Sequence, residues 1–271
     1  MDLDGKVAVV TGGNSGIGRA TCAALAKRGI RAIGVVDMTP AVTEMCRTVN
    51  ADLGRETLIP YVGDVTDASF RRTAFDDLKR RFSVVNICVP AAGIVRDQLA
   101  VKIDKHSGKA ALYPVELFHQ TLNLNLLAAT YWALETVATV AEDRHVRKLG
   151  RWEAAERVQG CVVFIGSVSS AGNRGQISYA ASKAALEAVA NTLVKETMYH
   201  GVRCAIIHPG FTDTPMLHAL GKEYIETHIL PQTQLRRLLR PEEIADGILF
   251  LITNSAISGA LWADAGWHPG A

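Results

Sequence analysis

The sequence predicts an α/β fold, a seven-stranded doubly wound parallel sheet with helices on both faces. Short apolar runs rich in valine and isoleucine recur along the 271 residues without polar alternation, as in parallel strands buried on both faces. The intervals between them carry helical periodicity, so strands and helices alternate. A glycine-rich turn joins the first run to the first helix, the kind of junction at which such sheets bind phosphate.

Strands are expected at Lys6–Thr11, Ala32–Asp37, Thr57–Val62, Val84–Val89, Cys161–Ile165, Arg203–His208 and Leu261–Ala263, with about six main helices in the intervals. No repeat, low-complexity tract or Pro/Ser-rich linker interrupts the series, so residues 1–271 are read as one domain. Two segments are longer than a minimal alternation needs. Val95–Pro114 follows a strand and is expected to border the ligand site, because ligands lie outside the carboxyl ends of the strands. Glu142–Gln159 precedes a strand and is expected at the far edge, as a helix extension or a subunit contact.

Composition narrows the function classes. With 48% hydrophobic residues, 21% charged residues and a formal net charge of +2, the chain lacks the basic field that nucleic-acid binding needs. No apolar stretch approaches the roughly 20 residues of a membrane span, and the first strand begins too near Met1 for a signal segment. The expectation is a cytoplasmic protein with neither nucleic-acid nor membrane partners. Cys22, Cys46, Cys88, Cys161 and Cys204 are odd in number, widely spaced and mostly set in apolar runs, which reads as buried reduced thiols. The eight histidines show no ligand spacing, so no metal is expected.

The segment Val7–Arg19 is a strand, a glycine-rich turn and a helix start. Gly12 permits the sharp turn, Gly16 lets the backbone approach a pyrophosphate, and Gly18 allows tight helix-to-strand packing. Asn14, Ser15 and Ile17 complete the turn, where unpaired N–H groups and the helix dipole favour an anion. Asp37 closes the second strand nineteen positions beyond Gly18, where a dinucleotide fold places the carboxylate that accepts hydrogen bonds from the adenosine ribose. A 2′-phosphate beside it would meet repulsion of a few kcal/mol at an effective dielectric of about 20, a preference of roughly a hundredfold. NAD is therefore the expected cofactor, ahead of NADP. Asp64 and Val65, after the third strand, stand where the adenine edge would lie, with an N-cap or turn role for Asp64 the other reading.

The stretch Ile165–Lys183 carries the chemistry. A strand ends in Ser167, and a helix begins with Tyr179 and Lys183 four residues apart, which puts both on one helix face. Bringing a phenol from about 10 toward neutrality takes roughly 3–4 kcal/mol. One cation at about 4 Å supplies approximately that much at an effective dielectric of about 20. Ser167 can then hold a substrate oxygen while Tyr179 exchanges a proton with it, and the Lys183 donors can reach ribose hydroxyls.

Thr11–Gly18, Asp37, Ser167, Tyr179 and Lys183, in this order along the whole chain, resemble the short-chain dehydrogenase/reductase (SDR) family. The resemblance implies a single-domain Rossmann fold and hydride transfer between a nicotinamide and a small-molecule secondary alcohol or ketone. By the same resemblance Asn125 matches the family's helix asparagine, thought to hold a water in a proton relay through the lysine, with Asn123 as the register alternative. Pro209, Gly210, Phe211, Thr212 and Thr214 resemble the segment bordering the nicotinamide. A homotetramer or dimer built on the helices around Asn125 and Tyr179 is implied, with Trp262–Trp267 near an interface. The chain departs from the pattern at Pro90-Ala91-Ala92-Gly93, where the family carries Asn-Asn-Ala-Gly, which puts cofactor affinity and stability in question more than chemistry. The Ser-to-Tyr interval of twelve is also short.

Residues 211–240 mix Met216, Leu217, Leu220, Tyr224, Ile229 and Leu230 with Arg236, Arg237 and Arg240, as in a lid over a mid-sized, partly apolar substrate. Two other readings stand beside this one: a reductase of 3-oxoacyl thioesters, and a binding protein that senses NAD without turnover.

Overall fold

The computed structural model describes residues 1–266; Trp267 lies outside the described residues. The first half alternates β1 (Val7–Thr11), α1 (Gly16–Lys27), β2 (Ala32–Asp37), α2 (Ala41–Leu53), β3 (Leu58–Val62), α3 (Ala68–Phe82) and β4 (Ile87–Pro90). A short hairpin, β5 (Val101–Ile103) and β6 (Ala110–Leu112), leads into α4 (Val115–Leu122), a π-helical turn at Asn123–Ala128 and α5 (Ala129–Val146). The second half runs β7 (Gly160–Ile165), α6 (Ile177–Glu196), β8 (Val202–Pro209), the short α7 (Pro215–His218) and α8 (Lys222–Tyr224), α9 (Pro241–Thr253) and β9 (Gly259–Ala263).

Seven strands form one sheet in the order β3-β2-β1-β4-β7-β8-β9, and every neighbouring pair is parallel. The order reverses between β1 and β4, the switch point where a crevice opens beyond the strand ends. Successive side chains of a strand point to opposite faces, and both faces are covered. Ala8, Val10, Ile33 and Val35 pack with Leu25, Val42, Ile244 and Ile248 under α1, α2 and α9. Val7, Val9 and Val36 pack with Phe75, Trp132 and Leu186 under α3, α5 and α6. All five cysteines are buried as free thiols, as expected.

Strand limits shift where side chains take over backbone partners. β4 starts at Ile87 and not at Val84, because the Val85 N–H donates to Thr139 Oγ1 at 3.1 Å. It runs on to Pro90, paired with Thr11, a strand-end position that tolerates a residue without an N–H. β9 begins at Gly259, two residues before the expected start.

Val95–Pro114 folds as the β5–β6 hairpin, anchored by a Gln98–Gln176 bridge and by Tyr113 Oη, 2.8 Å from Ser178 Oγ on α6. Its first residues border the crevice, as its position after a strand predicts. Glu142–Gln159 completes α5 and turns back toward the start of β7. There the buried Arg144 guanidinium pairs with Glu156 at 2.6 and 3.1 Å, and the Trp152 N–H donates to Tyr199 O at 2.8 Å.

Candidate active site

A cavity of about 620 Å³ opens beyond the carboxyl ends of β1, β4, β7 and β8. Its floor is the glycine turn. Gly12 has φ +66°, and a Cβ there would stand 2.9 Å from Ala92 Cα; a Cβ on Gly18 would collide with the Gly12 carbonyl oxygen. Gly16 has φ +50° and packs closely against Thr214, with Thr214 Cγ2 3.0 Å from where a Cβ would be. Ser15 caps α1 without a side-chain hydrogen bond, which leaves the first-turn N–H groups for an anion. At the end of β2 the Asp37 carboxylate accepts from the Asn14 N–H at 3.1 Å and the Thr39 N–H at 3.0 Å. These backbone donors hold it as a fixed acceptor in the cavity wall. The donor set and the close-approach glycines fit a dinucleotide.

The second wall carries Ser167, Tyr179 and Lys183. Ser167 follows β7 with an extended backbone, and its Oγ accepts from the Ser169 N–H at 3.1 Å, so its own proton remains available to donate. Tyr179 and Lys183 stand one turn apart at the start of α6, with Lys183 Nζ 5.6 Å from the Tyr179 ring centroid. Lys183 is 5% exposed and donates to Ile165 O at 2.8 Å. Burial pushes its ammonium down to about 8. Burial also holds the Tyr179 hydroxyl above its ordinary value; a hydrogen bond with Ser167 pulls the other way, and the Asp97 carboxylate adds to the rise. This reverses the direction expected from the Tyr-Lys spacing. The lysine lies over the ring and spends a donor on the end of β7, and desolvation is the largest influence on the hydroxyl.

Asn125 sits inside the π-helical turn at 1% exposure. Its Oδ1 accepts from the Ile94 N–H at 2.8 Å, and its Nδ2 donates to Ile94 O at 2.9 Å and to Ser182 Oγ at 3.3 Å. It thereby ties the turn after β4 to α6.

A short chain dehydrogenase sequence profile matches residues 6–225. The chain belongs to the short-chain dehydrogenase family. It is an oxidoreductase acting on CH–OH groups with a nicotinamide cofactor. It is 29% identical over 265 residues to the 3-oxoacyl-[acyl-carrier-protein] reductase FabG of Escherichia coli (strain K12), covering 94% of this chain and 93% of that protein. It is 30% identical over 259 residues to the acetoacetyl-CoA reductase of a Synechocystis species, covering 95% of this chain and 92% of that one. In fold it resembles a short-chain type dehydrogenase/reductase from Mycobacterium marinum, with a TM-score of 0.83, 24% identity, and 99% and 98% of the two chains covered.

Within this short-chain dehydrogenase, Gly12, Ser15, Gly16, Ile17, Gly18, Asp37, Asp64, Val65, Ala91, Ala92 and Gly93 all line the cavity, with Pro209, Gly210, Phe211, Thr212 and Thr214 opposite. Asn14 is not among the lining residues and acts through its backbone on Asp37; Asn125 stands behind the wall, while Asn123 lines it. Asp64 lines the cavity while its Oδ1 accepts from both the N–H and the Oγ1 of Thr66 at 2.8 Å. The Pro90-Ala91-Ala92-Gly93 turn is braced through the main chain, the Ala92 N–H donating to Thr11 Oγ1 at 3.1 Å.

Phe211, Pro215, Met216, Leu217 and Leu220 form an apolar wall over the opening. Arg236, Arg237 and Arg240 do not reach the cavity; Arg237 makes a two-pronged pair with Glu243 at 2.7 and 2.8 Å. The polar rim comes from residues that sequence reasoning did not single out. Arg96, Asp97 and Gln176 line it, and Gln176 Nε2 donates to Asp97 Oδ2 at 2.8 Å. The one signal for Arg96 and Asp97 was the place of Val95–Pro114 directly after a strand.

Proposed function

We propose that the protein is an NAD-dependent enzyme interconverting a secondary alcohol and a ketone, with Tyr179 as general acid and base. The observation that carries this reading is the meeting, in one cavity, of Ser167, Tyr179 and Lys183 with a glycine cradle closed by Asp37. Ser167 donates its free proton to the substrate oxygen, and Tyr179 exchanges a proton with that same atom. A bound nicotinamide supplies or takes the hydride and, when oxidised, adds a positive charge that favours the phenolate. Lys183 holds the cofactor ribose and the end of β7 together. Asn125 orders the Ile94 turn and, as in the family, holds a water that relays protons to Lys183.

Asp37 supports NAD over NADP, because its main-chain donors fix a negative charge where a 2′-phosphate would stand. Residues 211–240 act as the substrate lid of a single catalytic domain. Exposed Leu127, Tyr131 and Leu134 on the helical stretch that carries Asn125 support assembly into a dimer or tetramer through that face.

A second reading concerns the substrate. The names of the FabG and acetoacetyl-CoA reductase relatives favour 3-oxoacyl thioesters, although Arg237 is paired with Glu243. Absorbance of the reduced nicotinamide, followed with secondary alcohols, 3-hydroxyacyl thioesters and the matching ketones, tests both readings. Activity with NAD that Asp37→Ala shifts toward NADP supports the assignment. Binding of NAD with no turnover across both substrate classes would favour a sensor instead.

A further inference from the structure

His208, near the end of β8, is fully buried. Its ring stacks on Trp262, its neighbour on β9, at 4.3 Å between centroids and 17° between planes. The other side is kept open by Gly166, where a Cβ would come 2.5 Å from His208 Nδ1. The β7–β8 ladder ends with the pair Ile165–Ile207 and the Gly166 N–H donating to Ile207 O at 2.7 Å. One step beyond, a side chain continues the ladder: the Ser167 N–H donates to His208 Nδ1 at 3.3 Å, and Ser167 O lies 3.1 Å from the same nitrogen.

Nδ1 can accept from the N–H or donate to the carbonyl, but one tautomer cannot do both. Accepting from Ser167 places the ring proton on Nε2. Nε2 is buried with no hydrogen-bond partner, and it faces the Glu187 carboxylate at 3.7 Å. Glu187 follows Tyr179 by eight residues and Lys183 by four on α6, so one helical stripe carries all three.

We propose that Glu187 and His208 form a positioning pair: the carboxylate selects the Nε2–H tautomer, and Nδ1 then holds the Ser167 peptide and with it the direction of the Ser167 hydroxyl. The proposal rests on the reading of Ser167 as the group that holds the substrate oxygen. Burial keeps the ring neutral; a hydrogen bond to the Ser167 backbone and, after it, Glu187 favour a second proton, and Lys183 opposes it. That proton would land on Nδ1 and cost the Ser167 N–H its acceptor.

The test uses the full chain. His208→Leu is expected to lower kcat by on the order of tenfold or more, as misdirected reacting groups do, with NAD affinity unchanged. His208→Asn, whose amide oxygen takes the place of Nδ1, is expected to restore most of the loss. A merely structural ring would give the reverse order, since leucine fills an apolar site better. Nitrogen-15 NMR of the wild-type imidazole is expected to show an unprotonated Nδ1 and a protonated Nε2, with the second tautomer appearing in Glu187→Ala.

Wild-type turnover in His208→Leu, no rescue by asparagine, a proton on Nδ1, or an unaltered tautomer in Glu187→Ala would each overturn the pair. If His208→Leu does not fold, the wild-type spectrum decides. Loss of turnover in Ser167→Ala with full turnover in His208→Leu removes the pair alone. Full turnover in Ser167→Ala removes the role of Ser167 and the pair with it.

Discussion

Lys183→Met is expected to make the protein more stable while removing its activity. Burial brings the ammonium from 10.5 to about 8, and that gap corresponds to roughly 3 kcal/mol held against the charged form in the folded state. The hydrogen bond from Nζ to Ile165 O returns roughly 1.5–3 kcal/mol. The net cost of keeping the charge is on the order of 1 kcal/mol at pH 7, and Met removes it while filling similar space. For a chain of this size the unfolding midpoint is expected to rise by about 2–4 °C. The sign with pH follows from the two states. Below the folded pKa of about 8 lysine is charged in both, and the penalty is fully present. From there up to 10.5 the unfolded chain binds more protons, so wild-type stability rises and the gap to Met closes. Urea unfolding at pH 7 and at pH 10 measures this directly. A Met variant less stable than wild type at pH 7, or a gap equal at both pH values, would refute the argument. Turnover is expected to fall by at least about a hundredfold, since the proposed cofactor contact would be lost with the charge.

Tyr179→Phe is expected to lower turnover about a hundredfold or more with little change in NAD affinity, read from steady-state rates and a cofactor titration. Asp97→Asn removes a charge that, after burial, holds the Tyr179 hydroxyl up. The tyrosine pKa is expected to fall, so alcohol oxidation should reach its plateau at lower pH; an unmoved pH profile would separate the two groups. Gly18→Ala drives a methyl into the Gly12 carbonyl oxygen, and it should weaken cofactor binding and cost about 1–3 kcal/mol of stability, measured by cofactor fluorescence and urea unfolding.

The sheet was legible because both faces are buried. Val7–Val10 and Cys161–Ile165 contain no polar residue, a pattern that only doubly covered strands sustain. The glycine turn, Asp37, Ser167, Tyr179 and Lys183 were legible because their chemistry depends on spacing along the chain. The hairpin was not, because strands of three residues such as Val101–Ile103 are too short to show a period. The π-helical turn was hidden for a related reason: Leu122-Asn123-Leu124-Asn125-Leu126 carries no mark of one extra residue per turn. The contacts of His208 and the Asp97–Gln176 pair join residues 41 and 79 positions apart, a distance over which one sequence holds no record of pairing. The raised Tyr179 hydroxyl was not legible, because helical spacing gives the nearness of a cation but not the loss of water around the phenol.

The fit between Gly12 and the Ala92 backbone has a consequence for how substrates arrive. With no room for even a methyl group between the two turns, the turn after β1 and the turn after β4 are locked as one unit, and Asn125 bolts that unit to α6. Three walls of the crevice are therefore in direct contact with one another. The side along Pro215–Leu220 is the more open one, with Met216 and Leu220 each 44% exposed. On the proposed reading of residues 211–240 as a lid, changes along this stretch would alter how the crevice fills and empties without touching the groups that react inside it.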